Sequence, residues 1–245
     1  IELSNGLIAR TFRLAPDAAT VALDNLMTGA SMLRAVRPEA TVTLDGTEYP
    51  VGGLVGQADL AYLTDAWLNA MKADPAAFHY TGYTIGRTEA PFAWNRVRHA
   101  EDSPWPPPGV RLTLRFEPPP GKASGITVDI VYEMYDGLPV YGKWLVVKNG
   151  SAKPVRLNAF ASESLAMVEG ESAVGTQDVW QLPNVTVASD YAFGGDDVRN
   201  TQKAVHWVED PAYTTQVSYE RKTPCVLECR SPQGPDVDIA QGDSF

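Results

Sequence analysis

The chain is poor in the residues that most enzymes and metal proteins rely on. In 245 residues it has two cysteines, Cys225 and Cys229, and three histidines, His79, His99 and His206. If Cys225 and Cys229 share a strand, they stand about 13 Å apart on one face, too far for a disulfide, whereas a helical turn would bring them within reach. They therefore read as two buried or half-buried thiols, and with no further Cys or His close by, no metal site is expected. Lys and Arg total 20 against 30 Asp and Glu, a formal charge of -10, and no Lys/Arg-rich run occurs. Nucleic acid and anionic membrane surfaces are thus excluded as expected partners. No apolar run approaches the roughly 20 residues of a membrane helix. Also missing are a G-x-S-x-G elbow, a P-loop, an H-E-x-x-H pair and a dinucleotide fingerprint, so neither a nucleophilic Ser or Cys nor a cofactor is expected. The first residue, Ile1, is not an initiator, which reads as a processed chain or a piece of a longer one, with a secreted or periplasmic location in view.

Short strand-like runs fill most of the chain: "LIARTFRL", "TVALDNL", "ATVTLDG", "VRLTLRFE", "ITVDIVYEMY", "VYGKWLVVKN", "VRLNAFASESLAM", "NVTVASDY", "TQKAVHWVED", "TTQVSYERK", "CVLECRS" and "VDIAQG". Turn residues bound each of them, the pattern of an antiparallel sandwich or barrel. In "RLTLRF", Leu112, Leu114 and Phe116 share one face and Arg111, Thr113 and Arg115 the other, which predicts one buried and one wet face. "TVDIVYEMY" is apolar on both faces and predicts a strand covered on both sides. In "YEMYDGLPVYGKWLVVKNGS", Gly137 and Pro139 predict a tight corner, and Tyr132, Met134, Trp144 and Val146 are expected to fill the space between stacked sheets. One helix is predicted where Leu60, Leu63, Trp67, Leu68 and Met71 recur at helical spacing before Asp74-Pro75.

The stretch "YTGYTIGRTEAPFAWNRVRHAEDSPWPPPG" has little periodicity but many aromatics and prolines. Trp94, Trp105 and the stiff "WPPPG" run argue for an ordered loop. Such a loop suits the C–H faces of sugar rings; equally, its aromatics could cover a sheet edge.

Several acidic groups are candidate catalysts. Retaining glycosidases need two carboxylates about 5 to 5.5 Å apart. Asp196-Asp197 and Glu101-Asp102 are adjacent pairs that point to opposite faces of a strand and read as solvated turn carboxylates. Glu163, considered with Glu169 or Glu171, lies in the apolar run "FASESLAM" and is the best candidate for a buried carboxylate, with Ser162 and Ser164 as neighbours. "NGS" at Asn149 and "NVT" at Asn184 match the N-glycosylation pattern.

Taken together, "ADPAAFHYTGYTIGRTEAPFAW", "WPPPGVRLTLRF", "YEMYDGLPVYGKWLVVKNGS" and "GPDVDIAQGDSF" resemble the amino-terminal β-supersandwich domain of the family 36 glycoside hydrolases, the α-galactosidase and α-N-acetylgalactosaminidase type. The resemblance spans most of the chain. It implies an all-β, galactose-mutarotase-like fold over residues 1–245: two large antiparallel sheets with one short embedded helix, ahead of a catalytic (β/α)8 barrel. In such enzymes two Asp residues on the barrel do the chemistry, so no catalytic residue is expected here. The domain would pack on its own carboxyl-terminal barrel, support a homo-oligomer, and lend loop residues to a pocket for an α-galactoside-like carbohydrate. On position, Trp94 and Trp105 are the expected sugar platforms, with Arg96, Arg98 and Asp102 as hydroxyl partners. The alternatives are a stand-alone aldose 1-epimerase, using the histidines with Glu163, Glu220 or Glu228, and a carbohydrate-binding module.

Overall fold

The computed structural model describes residues 1–99, 102–170, 185–191 and 203–245. It is an all-β sandwich. Three antiparallel sheets form it. The first runs β1 (Glu2–Ser4), β2 (Ile8–Arg13), β3 (Ala19–Asn25) and β4 (Ala30–Ser31) in sequence order. The second is a meander of β10 (His79–Arg87), β11 (Gly109–Glu117), β12 (Ile126–Tyr135) and β13 (Tyr141–Asn149). The third contains β5 (Leu33–Ala35), β6 (Ala40–Leu44), β7 (Thr47–Val51), β14 (Val155–Met167), β15 (Val205–Val208) and β16 (Val226–Ile239). Its order is β15-β16-β14-β6-β7, with β5 paired to the end of β14. A two-stranded pair, β8 (Leu54–Val55) and β9 (Lys72–Ala73), flanks them.

The main core lies between the second and third sheets, and alternation decides which residues enter it. Leu112, Leu114 and Phe116 of β11 are buried, as are Ile126, Val128, Ile130, Tyr132 and Met134 of β12. They belong to one cluster with Val42 and Leu44 of β6 and Val155 and Leu157 of β14. Leu3 and Phe12 of the first sheet join it, and the Phe12 ring meets Tyr132 edge-on at 4.9 Å. Strand β12 is covered on both faces, as its pattern predicts.

Four details depart from the sequence reading. Trp144 and Val146 do not fill the interlayer space: in β13 the buried partners are Leu145 and Val147, and the register sets Trp144 opposite Val131 on the outer face. The reason is the pleat, because Lys143 is drawn inward by buried acids and the whole strand follows its phase. The helix α1 spans only Asp65–Ala70 and buries none of its residues. It starts late because the Thr64 hydroxyl accepts the Trp67 N–H as an N-cap, leaving Leu60 and Leu63 outside. "TTQVSYERK" is not a strand. Its residues lock a loop instead: the Gln216 amide donates to the Asp210 and Tyr213 carbonyls and the Val217 N–H to Glu169, and just past the run the Thr223 hydroxyl donates to Glu169 as well. Residues 185–191 are likewise irregular, although Val185 and Val187 pack on a cluster of Leu23, Leu165, Met167 and Leu227.

Where the three sheets meet, the filling is ionic. Arg10 of β2 is 1% exposed and grips Glu163 of β14 through both guanidinium arms, at 2.5 and 3.2 Å. The same group donates to Glu39 at 3.1 Å and to the Thr20 hydroxyl at 2.8 Å. Lys143 of β13 donates to Glu163 at 2.6 Å and to the Glu39 carbonyl at 2.5 Å. The Tyr132 hydroxyl donates to Glu39, and that of Tyr141 donates to Glu163 at 3.3 Å. Burial alone would raise the Glu163 carboxyl, but the positive charges of Arg10 and Lys143 and their hydrogen bonds reverse this and hold it down to about 2. Burial also dominates at Lys143, lowering it, and at Tyr132, raising its hydroxyl well above the ordinary value.

Removing one member therefore leaves others uncompensated. Glu163→Gln keeps the shape but strips the counter-charge from two buried cations, and should lower the unfolding free energy by about 3–5 kcal/mol in a denaturant titration. Because the Glu163 carboxyl is lower in the folded than in the unfolded chain, its contribution is complete above the ordinary value of 4.5. It should fade as pH falls from there toward about 2, a loss that the Glu163→Gln variant should not show.

Candidate functional site

The arm that joins β10 to β11, described over residues 88–99 and 102–108, carries a cluster of aromatic rings open to solvent. Its root is rigid. Arg87 and Val110 face each other in the ladder, and the Thr88 hydroxyl donates to the Pro107 carbonyl at 2.5 Å. The Glu89 N–H donates to Glu133 at 3.0 Å, and the Glu89 carboxylate meets Arg111 at 2.7 Å. Arg111 also bonds Glu133 at 2.8 Å and lies 5.3 Å from the Trp144 ring, an arrangement that gives the outward-facing Trp144 a role. Burial and the Glu133 carboxylate push the Tyr135 hydroxyl, which donates to Glu133 at 3.2 Å, up to about 12. A side chain at Gly109 would collide with the Met134 carbonyl, so glycine there lets the returning arm close onto β12.

Beyond this root the arm carries a small aromatic stack. Trp94 and Trp105 approach to 5.5 Å between centroids at 52°, and Phe92 and Trp105 to 5.2 Å at 44°. The Trp105 N–H donates to the Phe92 carbonyl at 3.1 Å, tying the two limbs of the arm together. Trp105 remains 38% exposed and Phe92 59%, so the stack offers ring faces to solvent. Arg96 pairs with Asp102 at 2.5 Å, and Arg98 donates to the His99 ring at 3.1 Å.

All five residues selected from the sequence thus lie on one arm, and the structure joins Trp94 to Trp105 and Arg96 to Asp102. It also adds Phe92, which sequence reasoning passed over. The signal was there in "PFAW", two aromatic residues on the same limb, but Phe92 lacks the ring N–H that drew attention to the tryptophans.

The other expected groups have separate places. Glu163, buried as expected, is sealed in the ionic cluster, where the Ser164 N–H also reaches it at 3.2 Å. Ser162 instead donates to the Cys229 carbonyl. His79 bonds the buried Asp17 at 2.8 Å, His99 sits on the arm, and His206 of β15 contacts the Arg230 carbonyl. Among the described residues no hydrogen bond joins any of these histidines to Glu163. Glu220 pairs with Lys222, and Glu228 with Arg230. Asp196-Asp197, Glu101, Glu171 and the Asn184 sequon lie outside the described residues. Cys225 and Cys229 are both free thiols. No group of His, Cys, Asp or Glu that could hold a metal occurs among the described residues, and no helix there is long and apolar enough to cross a membrane.

No family model, curated protein or solved structure matches the chain. Its site must be read from its own residues.

The Asn149 sequon has a structural use. Asn149 is 1% exposed, and its amide donates to the Ile239 carbonyl at 2.9 Å and the Lys153 carbonyl at 2.8 Å. Its carbonyl oxygen accepts from the Ser151 hydroxyl at 2.7 Å. A glycan on that nitrogen is incompatible with this packing. Asn149→Ala should lower the unfolding free energy by about 1–3 kcal/mol, since it takes the amide donor from the buried Ile239 carbonyl; chemical denaturation measures it.

Proposed function

We propose that the chain is a non-catalytic, sugar-contacting domain of an α-galactosidase-like glycoside hydrolase. Its arm lends aromatic platforms to the rim of a carbohydrate pocket on a companion barrel. The observation that carries this reading is the arm itself: exposed Phe92 and Trp105 rings with the half-buried Trp94 stacked on them, beside Arg96, Arg98 and Asp102, on a root pinned to the sheet by Thr88, Glu89 and Arg111. Ring faces attract the C–H side of a pyranose, and charged side chains beside them can bond its hydroxyls. The choice of an α-galactoside rests on the likeness of the sequence blocks. Glu163, the best candidate for a buried carboxylate in the sequence reading, is neutralised by Arg10 and Lys143, which favours chemistry carried elsewhere.

Binding of methyl α-galactoside, followed by tryptophan fluorescence and saturation-transfer NMR, tests the reading. The arm should give a saturable response, and Trp94→Ala or Trp105→Ala should weaken it by about tenfold or more. In an enzyme that joins this domain to a barrel, the same variants should raise KM or lower kcat. Unchanged kinetics would reduce the arm to a structural cover. Polarimetry of freshly dissolved α-galactose should show no acceleration by the chain; rapid equilibration would favour the epimerase alternative.

A further inference from the structure

The edges of the sheets are protected unequally. In the first sheet the edge strands β1 and β4 are three and two residues long. In the third, β15 has four residues and β7 carries Pro50. On the second sheet, β13 is covered by the end of the chain: Val147 exchanges hydrogen bonds with Phe245, and the Asn149 N–H donates to Asp243. Short strands, proline and covering segments all blunt an edge against pairing with other chains. The opposite edge, β10, has none of these among the described residues beyond Tyr80, whose N–H donates to Asp17 at 2.8 Å. It is nine residues long, without Lys or Pro, and its only irregularity is a bulge between Tyr80 and Gly82.

Past that bulge, β10 reads Gly82-Tyr83-Thr84-Ile85-Gly86, a near-palindrome centred on Thr84. The side chains of Tyr83 and Ile85 point to the core side of the sheet, opposite Leu114 and Leu112, yet they overhang the layer beneath and are 46% and 64% exposed. Residues 75–88 contain no acidic side chain, although the chain as a whole carries a formal charge of -10. This strip therefore adds no carboxylate of its own to the repulsion between two copies of so acidic a chain.

We propose that β10 is a homodimerisation edge, pairing antiparallel with β10 of a second copy across a two-fold axis through Thr84. In that register Thr84 faces the partner's Thr84 on the outer side, and Gly82 faces the partner's Gly86. Tyr83 faces the partner's Ile85 on the inner side, and by symmetry Ile85 faces the partner's Tyr83. Aromatic with β-branched, and Thr with Thr, are the favoured cross-strand pairs, and a two-fold interface requires such self-complementarity. Shifting the register by one residue would set inner-face side chains against outer-face ones, so the near-palindrome selects the alignment. The two four-stranded sheets then become one continuous sheet.

Sedimentation equilibrium of the 245-residue chain should show a concentration-dependent monomer–dimer equilibrium. Ile85→Lys, at a side chain already exposed, should leave the circular dichroism spectrum unchanged and raise the dimer dissociation constant by about tenfold or more. Opposed residues on paired strands stand about 4.5–5.5 Å apart at Cα, within disulfide range, so Thr84→Cys in a Cys229→Ser background should cross-link two chains on mild oxidation. Glu48→Cys, on β7, should not. A chain that stays monomeric throughout, a dimer indifferent to Ile85→Lys, or a Glu48→Cys variant that cross-links as readily as Thr84→Cys would overturn the proposal.

Discussion

Arg10 and the groups around it are the constraint on which the three sheets depend. Two cations, Arg10 and Lys143, meet two carboxylates, Glu39 and Glu163, and the surrounding Thr20, Tyr132 and Tyr141 hydroxyls complete the network. Its members come from β2, β3, β12, β13, β14 and the residue before β6, so each of the three large sheets contributes. Hydrophobic contacts between the sheets are tolerant of sliding, whereas a bidentate guanidinium–carboxylate pair is directional. Desolvating four charges is costly, and such networks add little net stability; what they contribute is a single relative placement of the layers. The Arg10 guanidinium over the Tyr132 ring, at 4.7 Å, lets an ionic centre sit directly beside the apolar core.

How much of this was legible in advance depended on what each residue answers to. Where a strand obeys its own alternation, the pattern suffices: Leu112, Leu114 and Phe116 lie inside, and β12 and β14 begin and end where their apolar runs do. Where a side chain answers to a distant partner, it does not. Lys143 reads as a surface residue until Glu163 and Glu39 are seen across the core, and its inward turn reverses the expected positions of Trp144 and Val146. Arg10 and Glu39 carry no local mark of burial, because their partners are as many as 153 residues away. "TTQVSYERK" has strand-like composition but contributes Gln216 and Ser218 to a buried polar loop, an outcome set by Glu169 and Asp210.

The arm was the more readable feature. Its aromatic density and lack of periodicity marked it as an ordered excursion, and Trp94, Arg96, Asp102 and Trp105 do gather there. Its anchoring was not readable, since Glu133, Tyr135 and Trp144 lie on the following hairpin and only the register of β11 with β12 brings them to Arg111. The molecule thus uses charge in two ways. Inside, it is sealed and fixes the layers; outside, it stiffens the base of an arm whose ring faces remain available.

The root of the arm has a consequence for how this scaffold can vary. The excursion leaves at Arg87 and returns at Val110, which are already neighbours in the ladder. Such a segment can be lengthened or shortened at a closure cost that grows only logarithmically, roughly 0.6 kcal/mol per doubling. The core and the ionic cluster take no part in it. The sandwich therefore behaves as a socket: tips of different length and chemistry can be fitted between the same two strands, and recognition can diverge while the fold beneath stays as it is.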